Sequence, residues 1–109
     1  MVNPDPLAVL LRSVRVVGEE YCWPATDILD VLRAFENLDR VVLGAELWHF
    51  DDDEAPAVSG WTQYEVESTE WDDRVVEAGR KAADELLGYA GDQTAWVNLT
   101  WEARDERDT

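Results

Sequence analysis

At 109 residues and 12.4 kDa the chain has room for one domain and not two. Nine basic residues against 25 acidic ones give a formal net charge of −16, which argues against nucleic acid or anionic membranes and leaves a basic partner, a divalent cation or simple solvation. Hydrophobic residues at 46%, six of them Trp, are too many for a disordered acidic tail, so a folded domain is expected.

A lone cysteine, Cys22, excludes an internal disulfide and fits a reducing compartment; beside Trp23 it reads as a small buried hydrophobe. The start MVNPDP lacks a basic n-region, Arg12 interrupts the first apolar run, and no stretch has the ~20 apolar residues of a membrane helix. A cytoplasmic protein is expected.

In chain order, Asp5-Pro6 is a helix start, and Leu7, Leu10, Leu11 and Val14 recur at helical spacing behind it. VRVV is either the last turn of that helix or a short edge strand, and Gly18 ends it. EEYCWPATD reads as a connection, because Trp23 precedes a proline and is biased away from helix. Ile28, Val31, Leu32 and Phe35 then define a second amphipathic helix that Asn37 to Asp39 breaks.

Arg40 to Phe50 alternates as a strand, with Val41, Leu43, Ala45 and Leu47 expected toward the core and Val42, Gly44, Glu46, Trp48 and Phe50 away from it. Gly44 marks a bulge or a close backbone approach. Asp51 to Gly60 reads as a long acidic loop, and Trp61 to Glu67 as a second strand with Tyr64 and Val66 inward. Thr69 and Asp72 match a capping box, after which Trp71, Val75, Ala78, Ala82, Leu86 and Tyr89 form the stripe of the longest helix. A final strand carries Ala95, Val97, Leu99 and Trp101 on one side and Trp96, Asn98, Thr100 and Glu102 on the other.

The order helix, helix, strand, strand, helix, strand predicts an α+β domain over residues 1–104: a small, mainly antiparallel sheet of about three strands packed by two to three helices. Residues 105–109 are expected to be a frayed acidic tail.

Catalysis has little to work with: one His, one Cys, one Lys, no Gly-rich phosphate loop and no nucleophile elbow. His49 is expected at a strand end or partly buried. Abundant acid makes any one carboxylate pair uninformative as a hydrolase signal. No cofactor and no enzymatic role are expected. The acidic loop offers oxygen ligands for calcium but lacks EF-hand spacing. Acid beside exposed aromatics has a different logic, in which carboxylates steer a basic partner and Trp supplies the anchor. The residues in this position are Glu46, Trp48, Asp51, Asp52, Asp53, Glu54, Trp61 and Glu65, with Trp96 as a further aromatic candidate; the alternative for any of Trp48, Trp61 and Trp96 is a second small core.

The run SVRVVGEEYCWPATDILDVL, then VVLGAELW and GWTQYEVES, followed by a long helix, resembles the immunity protein 40 family of bacterial polymorphic toxin systems. That family's strand reads Leu-Gly-Gly-Asp-Val followed by an aromatic; here it is Leu43-Gly44-Ala45-Glu46-Leu47-Trp48, and Gly60-Trp61 stands where the family has Asn-Trp. The similarity spans about residues 13 to 90. It implies an α+β fold and a cytoplasmic protein that neutralises a cognate toxin domain by binding. A calcium-binding module, an acidic nucleic-acid mimic that blocks a DNA-binding protein, and a small hydrolase remain the alternatives.

Overall fold

The computed structural model describes residues 6–50, 56–89 and 91–103. Its elements run α1 (Pro6–Arg12), β1 (Arg15–Val17), β2 (Glu20–Pro24), α2 (Ile28–Asn37), β3 (Arg40–Phe50), β4 (Pro56–Gln63), α3 (Trp71–Leu86) and β5 (Trp96–Ala103), with short 3-10 turns before α2 and after α3. The five strands form one antiparallel sheet in the order β1-β2-β5-β3-β4. The fold is α+β as expected, with five strands rather than about three. The residues predicted as a connection, EEYCWPATD, contain β2, and VRVV is the edge strand β1. The Asp5 cap and the 105–109 tail lie outside the described residues.

Two hairpins, β1-β2 and β3-β4, are joined by β5, the last strand in sequence, which inserts at the centre of the sheet between β2 and β3. Gly18 makes the first hairpin tight. It adopts φ +63 in the two-residue turn between Val17 and Glu20, a conformation that strains side-chain-bearing residues.

The helices cover one face of the sheet. Unbroken i, i+3, i+4, i+7 spacing puts Ile28, Val31, Leu32 and Phe35 of α2 into the core, where they meet Trp23, Val42, Ala45, Val97 and Leu99 from the sheet. From α3, Ala82 and Leu86 join this core, while Trp71, Val75 and Ala78 close a smaller cluster around Val41. The expected α3 stripe is buried from Trp71 to Leu86, and Tyr89 beyond it is exposed. Glu70, not Thr69, is the N-cap of α3, and its side chain makes no capping hydrogen bond. In α1 Val9 and Leu10 are buried and Leu11 faces solvent.

The alternation expected along β3 holds at Val41, Ala45 and Leu47 and breaks at Val42 and Leu43. A bulge between Val42 and Gly44 in the pairing with β5 puts Val42, Ala45 and Leu47 toward the helices and leaves Leu43 exposed. β4 starts earlier than expected, at Pro56, and the chain leaves the sheet after Gln63. Tyr64 and Val66 still turn inward, as the alternation predicts, and pack on the main and smaller cores. Burial, and secondarily the Glu85 carboxylate, pushes the Tyr64 phenol well above its ordinary range.

Tyr64 still donates its backbone N–H to the Leu43 carbonyl of β3 (3.0 Å), and the residues after it are tied to α3. The Glu77 carboxylate accepts from the Glu67 N–H (2.7 Å), the Ser68 N–H (3.2 Å) and the Ser68 hydroxyl (2.7 Å), and Lys81 donates to the Glu65 carbonyl. These bonds, that of the Ser68 hydroxyl foremost, hold Glu77 down at about 2, against an ordinary 4.5. A depressed carboxylate stabilises the fold fully above its unfolded pKa, and the contribution disappears as pH falls through the folded value. Glu77→Gln should therefore lower the melting temperature at pH 7, and its deficit should shrink as both proteins are melted from pH 4.5 down toward 2. Equal deficits across that range would mean that the carboxylate's charge contributes nothing.

An acidic and aromatic cleft on the open sheet face

Strand register carries one row of residues across the sheet away from the helices: Arg15, Cys22, Asn98, Glu46 and Trp61 are successive partners on β1, β2, β5, β3 and β4. Their neighbours in β5, Val97 and Leu99, point into the helical core, so this row faces the other way. At its centre is the Glu46-Leu47-Trp48 segment. The Trp48 Nε1–H donates to Glu46 Oε2 at 2.9 Å, which fixes the carboxylate beside the indole and leaves its second oxygen directed elsewhere.

Trp48 is not the exposed aromatic expected from alternation. It is only 5% exposed, because Phe50 packs against it (centroids 6.3 Å apart) and Trp96 packs edge-on against Phe50 (5.7 Å). The Arg15 guanidinium lies 3.7 Å from the Phe50 centroid and 5.5 Å from that of Trp96. Trp48, Phe50 and Trp96 thus build a second small aromatic core on the open face, capped by a cation. Trp96 is half-buried there.

Trp61 behaves differently. It is the register partner of Glu46 on the edge strand β4 and is 71% exposed. With Glu46, Gln63, Asn98, Thr100 and Gly44 it lines a cleft of about 110 Å³. On its other side Trp61 borders a second cleft of about 110 Å³, shared with Glu85, Leu86 and Tyr89. Both are far below the ~300–1,000 Å³ of small-molecule sites and suit single side chains. Gly44 is required beneath the first: a Cβ there would sit 2.7 Å from the Thr62 carbonyl oxygen and 3.3 Å from the Thr100 hydroxyl.

Asn98 was not singled out from sequence as a site residue. It is 3% exposed, and its amide nitrogen donates to the Glu20 carboxylate (3.0 Å) and the Tyr21 carbonyl (2.9 Å), both on β2. That orientation turns its carbonyl oxygen away from β2. The signal was a polar residue inside the apolar run AWVNLTW, but what it meets depends on β2 and β3, 77 and 52 residues away in the chain.

Of the eight residues predicted for partner binding, the structure brings Glu46, Trp48 and Trp61 together. Glu65 is exposed but sits past the end of β4, and no bond or ion pair among the described residues joins it to this cleft. Asp51, Asp52, Asp53 and Glu54 lie outside the described residues. Among the described residues no three His, Cys, Asp or Glu side chains converge to hold a metal ion. Cys22 is fully buried, and burial pushes its thiol up to about 11 against the opposing pull of Arg15, the reverse of the shift that activates a thiol. His49, at the end of β3, is half-exposed with Nε2 3.8 Å from Asp92 Oδ2. Hydrogen bonds from Thr94, and secondarily His49, hold Asp92 below its usual range.

The arrangement has the chemistry of recognition: one projecting indole, a carboxylate fixed by a neighbour, and a narrow cleft between them. Among the described residues no helix is long and apolar enough to cross a membrane. Compared with protein-family profiles, curated proteins and solved structures, the chain shows no match.

Proposed function

We propose that this chain is an immunity-type protein that binds and neutralises a cognate bacterial toxin domain, basic around its active site, through the acidic, aromatic-bearing surface at β3 and β4. The observation that carries this reading is Trp61, 71% exposed beside Glu46 on an edge strand. Leaving an indole in water forgoes roughly 2–4 kcal/mol of burial, and a partner that covers it recovers that energy. Val58 on the same strand is 55% exposed and Tyr89 behind it 40%, which widens the apolar contact area. Carboxylates around this strip discriminate in favour of a positive surface and speed encounter with it. The resemblance to the immunity protein 40 family supports the same reading, with no catalysis and no cofactor.

Co-expression with the C-terminal domain of a large secreted protein encoded next to this chain tests the proposal. Cell survival together with a co-purifying complex is the expected result; continued killing without a complex refutes it. Within such a complex, replacing Asp51, Asp52 and Asp53 by Asn and Glu54 by Gln should slow association several-fold at low salt and flatten its dependence on ionic strength. Unchanged association rates at every salt concentration would remove the loop from the binding surface.

A further inference from the structure

We infer that the cleft between Glu46 and Trp61 is a receptor for one arginine side chain of a partner protein. This rests on the proposed binding role and names the chemistry the surface recognises.

Three features of the cleft point to a guanidinium. The first is its acceptors. Glu46 presents the carboxylate oxygen not used by Trp48, and Asn98, whose amide nitrogen is committed to Glu20 and the Tyr21 carbonyl on β2, offers a carbonyl oxygen. Asn98 is 3% exposed, so its polar end is held by the fold and not by solvent. The Thr100 hydroxyl and the Gln63 amide complete the polar lining. A ligand rich in donors and carrying positive charge satisfies this set, whereas an anion would face the Glu46 charge at contact.

The second feature is Trp61. Its indole borders the cleft while 71% exposed, which leaves ring surface for a planar cation to stack on. Arg15 already lies over Phe50 and Trp96 on the same sheet face, so this fold uses guanidinium stacking on indole and phenyl rings within its own structure. The third is shape. Gly44 lines the cleft without a side chain, at a close strand approach where a Cβ would meet the Thr62 carbonyl oxygen, and about 110 Å³ admits a side-chain head group but no larger ligand. Arginine combines the flat charged fork, the donors and the stacking face; an ammonium lacks the last.

The test uses the whole chain and a small probe. N-acetyl-arginine amide and its neutral isostere N-acetyl-citrulline amide are titrated into ¹⁵N-labelled protein at low ionic strength, and the six tryptophan indole N–H signals and the Asn98 side-chain amide are followed. The arginine probe should give saturable shifts at Trp61, Trp48 and Asn98, with affinity at least about fivefold above citrulline. Glu46→Gln, whose amide oxygen still accepts from Trp48, should abolish that preference, and Trp61→Ala should do the same independently should the first variant fail to fold. Equal binding of both probes, or shifts spread over the acidic surface and unchanged in the variants, overturns the inference. The two proposals fail separately: Glu46→Gln protein that still neutralises the toxin at full strength removes the arginine cleft and keeps immunity, while arginine binding without any toxin neutralised removes immunity and keeps the cleft.

Discussion

Phe35→Ala should destabilise the protein by about 3–5 kcal/mol, the range for emptying a fully buried phenyl site. Phe35 is 1% exposed and joins the layers: its ring meets Trp23 of β2 edge-on (centroids 5.5 Å) and Trp101 of β5 at 5.0 Å. The Arg40 guanidinium lies 6.0 Å from the Phe35 centroid and 5.8 Å from that of Trp101. Truncation removes a contact between α2 and the central strand and leaves a space walled by two bulky indoles that refill it poorly. A domain of this size has about 5–15 kcal/mol in total, and self-repulsion among 25 acids draws on the same margin, so the variant is expected near its unfolding threshold. Urea unfolding checks it: a midpoint shifted sharply down with an unchanged slope is the expected outcome. Leu29→Ala, on the same helix at 40% exposure, should shift it by less than about 1 kcal/mol. A similar small effect for Phe35 would mean that α2 is held by something other than this aromatic contact.

The contrast between Phe35 and the first hairpin explains what the sequence discloses. In α2, β3 and α3 the periodic pattern lasts through several repeats, so Ile28 to Phe35 and Trp71 to Leu86 are legible residue by residue. β1 has three residues and β2 five, too few for alternation to register, and Pro24 ends the second. They are strands because Cys22 and Trp23 pair with Asn98 and Val97 at the far end of the chain. Pairing over that separation leaves no local trace. The bulge at Leu43 has the same character: it moves Val42 into the core and Leu43 out of it, and it belongs to the contact with β5.

The site divides along the same line. Glu46 and Trp61 are readable because each belongs to a strand whose neighbours in sequence set its direction. Trp48 shares the predicted face and yet is buried, since Phe50 packs on it, with Trp96 and Arg15 packed on Phe50 in turn from two other strands. Asn98 enters only through register. An aromatic on the solvent side of a sheet is thus exposed only where the adjacent strands leave it uncovered. Among the described residues no further strand follows the edge strand β4.

That edge position makes Trp61→Ala the decisive functional variant. The side chain is 71% exposed and its removal opens no cavity in the core, so folding stability should change by less than about 0.5 kcal/mol. If the proposed toxin partner binds here, affinity for it should fall by at least about 2 kcal/mol, roughly 30-fold, as for aromatic anchors at the centre of protein interfaces, and mainly through faster dissociation. Trp48→Ala provides the internal contrast. Its indole is 5% exposed and holds Glu46 through a 2.9 Å hydrogen bond, so truncation should cost about 3–5 kcal/mol of stability and impair binding only as the fold loosens. Surface plasmon resonance of both variants, paired with their urea midpoints, separates the two roles. Trp61→Ala with wild-type stability and weakened binding identifies the anchor. Wild-type affinity in that variant would move the interface off β4 altogether, because this exposed indole is the aromatic side chain of the cleft.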